Sequence, residues 1–296
     1  MSATHIDAPA GSATYQGTYR EITVALTGAA GDVCAVDAAL DLARASGGHV
    51  RLLQLLMMPT PFVDAWSLVP DAGFSQAYDE IREAGRRAAE RWREYLAAQQ
   101  VPGEVQSLET QYVEPTHLAT LAARCSDLIV LAMPYREPID TATVHTYFAS
   151  LLFDAGVPVL VVPSNAPASL PPHRAVVAWA DTPEATRAAH DALGLLRGCT
   201  SVDVLAIRTD SAAPADDAGV EAFTRHLARH GVAAHAVSRQ ADDAAVADLI
   251  MQRACDSDAQ LIVAGGYGHG RMREWAFGGV TRELFLSSPV PVFFSH

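Results

Sequence analysis

A chain of 296 residues, 50% hydrophobic and 19% charged, is long enough for about two domains of ~100–200 residues and has an ordinary globular composition. Its formal net charge of −13 argues against a nucleic-acid surface, which needs clustered lysine and arginine, and no apolar run reaches the ~20 residues of a membrane helix. Four cysteines, Cys34, Cys125, Cys199 and Cys255, are scattered without a C-x-x-C pair, which argues against a disulfide framework or a zinc ribbon and for a reducing cytoplasm.

Residues 1–18 are small, polar and proline-containing, with neither a basic nor an apolar signal region, and read as a flexible leader. A first unit follows over 19–164. It opens with an apolar strand, Ile22–Leu26, an alanine-rich helix from Asp32 to Ala45 and a Gly47-Gly48 stop. Next come a strand at His49–Leu56, a long helix at about Ser75–Ala98, a third strand near Val105–Tyr112, a short helix, and two more strands around Leu128–Val130 and Val157–Val159. Between 59 and 78 lie Phe62, Trp66, Phe74 and Tyr78 among Pro, Gly and acids. That composition suits a loop covering exposed core or a lid and docking surface, since aromatic residues are enriched where proteins touch.

Ser164–Pro172 is a linker rich in Ser, Ala and Pro, and residues 172–296 repeat the pattern. A strand at Ala175–Trp179 leads into a helix over Pro183–Leu196, with Pro183 suited to its first turn. Then come a strand at Val202–Arg208, a helix at Ala218–His230 and a strand at Ala234–Ser238. Leu261–Val263 matches Leu128–Val130, and Val290–Val292 matches Val157–Val159, both 133 residues apart, so the chain is an internal repeat. Strands alternating with helices, several of them continuous runs of Val, Ile and Leu, predict a doubly wound parallel sheet in each half. Right-handed crossovers give the order 3-2-1-4-5, with ligands outside the carboxyl ends of strands 1 and 4. The last strand of each half then lies at a sheet edge. An exposed apolar edge must be covered, so the two should pair within the chain as a built-in pseudo-dimer.

The fourth strand of the second half runs into a glycine-rich loop and helix, with Gly265, Gly268 and Gly278 spaced G-x2-G-x9-G and with Arg271, Arg273 and Arg282 against the one acid Glu274. Glycines permit positive φ and close approach of N–H groups, and the helix N-terminus adds partial positive charge, a recipe for an anion cradle. The 133-residue offset places Ala132, Tyr135 and His145 at the equivalent positions of the first half, where side chains and the Met133-Pro134 pair oppose a cradle.

This segment resembles the universal stress protein family, whose nucleotide-binding members carry G-x2-G-x9-G followed by Ser or Thr after their fourth strand. The resemblance covers roughly Tyr19–His296 and departs at Gly279, which stands where a hydroxyl residue is usual, while Thr281 fits. It departs again at strand 1, where Ala180 in the second half and Thr27 in the first occupy the usual aspartate position, with Asp181 one residue late. The resemblance implies tandem α/β domains of the adenine nucleotide alpha hydrolase type and a non-catalytic, cytoplasmic stress-response module. It also implies ATP or ADP in the second domain, with Mg able to accompany the nucleotide. Gly265, Gly268, Gly278, Gly279, Val280 and Thr281 would face the phosphates, with His269 able to neutralise charge. Trp179, Ala180, Asp181 and Ile207 would line the nucleoside. A pure interaction scaffold, another small anion and a slow nucleotide hydrolase stay open, as does a homodimer.

No metal site is expected. His226 and His230 lie four apart near a helix end with His235 beyond, where the helix dipole favours histidines open to solvent. His190-Asp191 lacks the geometry of a catalytic pair, because adjacent helix residues diverge, and no nucleophile elbow completes a triad.

Overall fold

The computed structural model describes residues 19–60, 72–134, 138–165, 168–209, 217–266 and 279–296. The first half contains β1 (Glu21–Leu26), α1 (Asp32–Ser46), β2 (His49–Met57), α2 (Ala72–Ala98), β3 (Gly103–Thr110), α3 (Pro115–Ala123), β4 (Leu128–Ala132), α4 (Pro138–Asp154) and β5 (Val159–Val162). The second contains β6 (Arg174–Trp179), α5 (Pro183–Asp191), α6 (Leu193–Leu196), β7 (Ser201–Arg208), α7 (Asp217–Arg229), β8 (Ala234–Gln240), α8 (Val246–Asp256), β9 (Leu261–Gly265), α9 (Gly279–Ser287) and β10 (Val292–Ser295), with a short 3-10 turn over Asp243–Ala245.

All ten strands form one sheet in the order β3-β2-β1-β4-β5-β10-β9-β6-β7-β8. Each half therefore has the order 3-2-1-4-5 with parallel neighbours. The halves meet where β10 pairs antiparallel with β5, with Val292 opposite Val161, Phe293 opposite Leu160 and Phe294 opposite Val159. Neither final strand is thus left as an open edge.

Period-2 alternation along the buried strands sends side chains to two apolar layers. On one face Ile22, Val24, Val177 and Val263 pack with Leu40 of α1 and Leu195 of α6; on the other Ile129, Val161, Val176 and Ile262 pack with Phe148 of α4 and Phe285 of α9. Both layers draw on both halves. Phe148 stacks on Phe285 at 4.6 Å between ring centroids and meets Phe294 edge-on at 5.1 Å. Tyr19 donates to the carbonyl of Asp191 at 2.7 Å and contacts the ring of Phe293.

Gly47 ends α1 at φ +63°, as the left-handed cap of a helix requires, and donates to Ala43. Two of the differences from the sequence expectation have a visible cause. β3 starts at Gly103, whose lack of a side chain lets it pair with Val50, since a Cβ there would lie 2.8 Å from the Val50 carbonyl oxygen. The expected helix over 183–196 breaks at Ala192 into α5 and α6, where Asp191 is held by Tyr19 and by a 2.6 Å bond from the Ser295 hydroxyl.

Candidate functional site

In the second half, the carboxyl ends of β6 and β9 flank the start of α5. Thr182 caps that helix, its hydroxyl oxygen accepting from the Ala185 N–H at 3.3 Å, and Pro183 occupies the first turn where no N–H partner is needed. A shallow, open depression of about 590 Å³ runs along the outer face of α5, lined by Asp181, Thr182, Pro183, Thr186, Arg187, His190 and Asp191. Arg187 supplies positive charge and donates to the His296 carbonyl oxygen at 2.6 Å, while His296 bonds the Gly266 carbonyl at 2.8 Å. The fold thus brings α5, β9 and β10 to one corner.

Gly265 closes β9 against α5. A Cβ on it would lie 2.6 Å from the Ala185 nitrogen and 2.7 Å from the Glu184 carbonyl carbon. Its φ is not positive, so close backbone approach demands the glycine here, and the positive-φ reading does not hold for this position. One carboxylate oxygen of Glu184, Oε2, is buried without a hydrogen-bond partner among the described residues. Gly279 begins α9 with none of the described residues within 4 Å of its Cβ position, and Thr281 is buried two residues later. Gly268, His269 and Gly278, with Arg271, Arg273 and Trp275, lie outside the described residues, as does 61–71 of the aromatic segment.

On the nucleoside side, Ala180 and Asp181 are exposed at the end of β6. Trp179 stacks face to face on Phe223 of α7 at 3.7 Å, which commits its ring to packing. Ile207 packs into the opposite layer from Trp179. These two residues therefore do not converge on one surface.

The same corner of the first half is filled from within. Asp32 is buried and accepts from the N–H groups of Thr27 at 3.1 Å and Gly28 at 2.9 Å and from the Thr27 hydroxyl at 3.1 Å. Ser164 donates to the Met133 carbonyl, and a Cβ on Gly31 would strike the Ser164 side chain and come 3.1 Å from the Ala132 Cβ. The small residue has changed sides: glycine on the helix and alanine on the strand here, glycine on the strand and glutamate on the helix in the second half. His145, equivalent to Gly278, lies within α4 against Phe285 at 5.9 Å. Burial first, and then the charge of Arg282, hold its imidazole below the ordinary value.

Sequence reasoning missed Arg187, Glu184 and the position of His190. The capping run Thr182-Pro183-Glu184 was the available signal for a helix N-terminus beside the depression.

No protein-family model matches the chain, and no curated protein matches it. Among solved structures, a universal stress protein from Archaeoglobus fulgidus DSM 4304 is similar at 14% identity, with 95% of this chain and 97% of that one covered and a TM-score of 0.72. A protein of unknown function from Pseudomonas aeruginosa PAO1 aligns at 17% identity over 94% of this chain and 92% of its own, with a TM-score of 0.51. Together with the strand order, the first of these likenesses shows that this chain has the universal stress protein fold.

Proposed function

We propose that this protein is a tandem member of the universal stress protein family, a non-catalytic, cytoplasmic stress-response module that binds ATP or ADP in its second half, at one site per chain. The domains on this reading are 19–164 and 172–296. The observation that carries it is the asymmetry of the two corners. Asp32 and Ser164 occupy the first from within, while in the second Thr182 and Arg187 line an open depression along α5, and Gly265 ends β9 against the start of that helix. A polyphosphate needs backbone donors and positive charge that no carboxylate has already taken, and only the second half retains that combination on this argument. Magnesium would accompany the nucleotide through the phosphates. No helix among the described residues is long and apolar enough to cross a membrane.

A second reading, an interaction scaffold with both sites vestigial, is favoured by two observations. Trp179 is stacked on Phe223 and so withdrawn from a nucleoside, and Glu184, which packs its backbone and Cβ against Gly265, keeps a carboxylate oxygen buried. The test is mass analysis of the ligand released on denaturing freshly purified protein, followed by calorimetry with ATP and ADP. One adenine nucleotide per chain is expected. Two equivalent sites, or no binding at millimolar nucleotide, overturn the reading.

A further inference from the structure

Two helices of the second half are joined by a contact between two titratable rings. His190 projects from α5, and its Nε2 lies 2.8 Å from the Nε2 of His226 on α7. The ring centroids are 5.1 Å apart and the planes cross at 70°, so the rings meet through their nitrogens and do not stack. Phe223, on the preceding turn of α7, has its ring 5.8 Å from that of His226 and 6.4 Å from that of His190, and it stacks on Trp179 at the carboxyl end of β6 at 3.7 Å. The histidine contact is thus continuous with that stack, and His190 also lines the depression along α5.

A neutral imidazole carries one N–H and one lone pair. At 2.8 Å one Nε2 donates its proton to the lone pair of the other, which fixes opposite tautomers, with Nε2–H on the donor ring and Nδ1–H on the acceptor. One further proton can enter on the Nδ1 of the donor ring and leave the bond in place. A second cannot. It would have to take the Nε2 lone pair that accepts the bond, and two imidazolium rings would then face each other N–H to N–H.

The surroundings do not offset that charge. On α5, Arg187 donates to the His296 carbonyl and Asp191 accepts from Ser295. On α7, Glu221 pairs with Arg225 at 3.5 Å, while Arg229 and His230 act on His226, with the His230 ring 4.7 Å away. Arg197, at the end of α6, donates to the His230 carbonyl at 2.9 Å. Burial, followed by the charges of His230, His190 and Arg229, lowers the pKa of His226 below its ordinary 6.5, which suits His226 as the ring that keeps its lone pair. A group with a lowered folded value takes its proton more readily once its native contact is broken. The contact is therefore complete above about pH 6.5 and lost as the pH falls through the folded value.

We propose that His190 and His226 form an acid-operated latch between α5 and α7, closed by the Nε2–Nε2 bond while the pair holds at most one added proton and opened by the second. Opening loosens the Trp179–Phe223 stack and so carries the signal to the carboxyl end of β6. Protonation of histidines at an interface is an established way to switch it.

The test uses the full-length chain. Imidazole ¹⁵N shifts at about pH 8 should show opposite tautomers at His190 and His226. Amide hydrogen exchange in α5 and α7, corrected for the intrinsic pH dependence, should accelerate at least about tenfold between about pH 7 and pH 5. His190→Gln and His226→Gln keep a hydrogen-bonding group that does not titrate, and each should remove most of that acceleration. If a variant loses its fold, the tautomers and exchange of the wild-type chain decide instead. The same tautomer at both rings, exchange in the wild type that does not respond to acid, or an equal response in both variants overturns the proposal.

Discussion

At the scale of single residues, the glycines of the second half divide into those the packing requires and those it leaves free. Gly265 is of the first kind. Because a Cβ there would meet the backbone of α5 at 2.6 Å, Gly265→Ala must push strand and helix apart. A loss of about 1–3 kcal/mol in unfolding free energy is expected with no nucleotide present, and a denaturant titration showing no loss refutes that role. Gly279 is of the second kind, with none of the described residues near its Cβ position. Gly279→Ser adds the hydroxyl at a helix start without a clash among the described residues, and a hydrogen bond to a charged group is worth about 1.5–3 kcal/mol. On the proposed function, nucleotide affinity rises roughly tenfold, the lower end of that range. Unchanged affinity in calorimetry counts against phosphate contact at 279. Glu184 acts in the opposite sense, since its carboxylate repels a polyphosphate arriving at Gly265. Glu184→Gln should therefore tighten ATP more than ADP, and a weaker ATP complex would mean the carboxylate is a ligand contact.

At the scale of elements, the seam between α4 and α9 carries a titratable group. His145 faces the Phe285 ring with Arg282 nearby and is held below its ordinary value of 6.5 by burial and then by that charge. A histidine with a depressed folded pKa binds its proton more readily in the unfolded chain. Its contribution to stability is complete above about pH 6.5 and is lost as the pH falls through the folded value. The melting temperature should drop between pH 7 and pH 5, and the drop should be smaller in His145→Gln. A His145→Gln profile parallel to the wild type removes this residue from the explanation. The first-half corner makes a matching case. Asp32→Ala removes the charged acceptor of the Thr27 and Gly28 N–H groups, and since a hydrogen bond to a charged group is worth about 1.5–3 kcal/mol, a loss of up to that size is expected by denaturation.

At the scale of the whole molecule, the β5–β10 pairing makes one ten-stranded sheet from two halves. Val159 and Val292 are fully buried on the strands that form this seam. A charge placed there stays desolvated and unpaired, so Val159→Asp or Val292→Asp should cost more than ~4 kcal/mol. Because both apolar layers cross the seam, the loss should appear in both halves at once, in a single unfolding transition. Separate transitions, with only the mutated half shifted, contradict this coupling.

The repeat, the strand types and the order 3-2-1-4-5 were legible in the sequence because hydrophobic runs, helix stops and right-handed crossovers are local or nearly local constraints. That Ala132, Tyr135 and His145 stand in the first half where the second has glycines was legible too. What fills the first-half corner was not. That Asp32 folds back onto Thr27 and Gly28, that Ser164 of the expected linker fills the same corner, and that Trp179 stacks on Phe223 depend on side chains from distant segments meeting in space. The same holds for His190, which reads as an isolated helix residue until α5 and α7 lie side by side and put it 2.8 Å from His226. The sequence by itself determined the repeat and the order of the sheet. Only the tertiary structure decided what packs into the first-half corner, because that turns on contacts between residues whose separation along the chain carries no periodic signal.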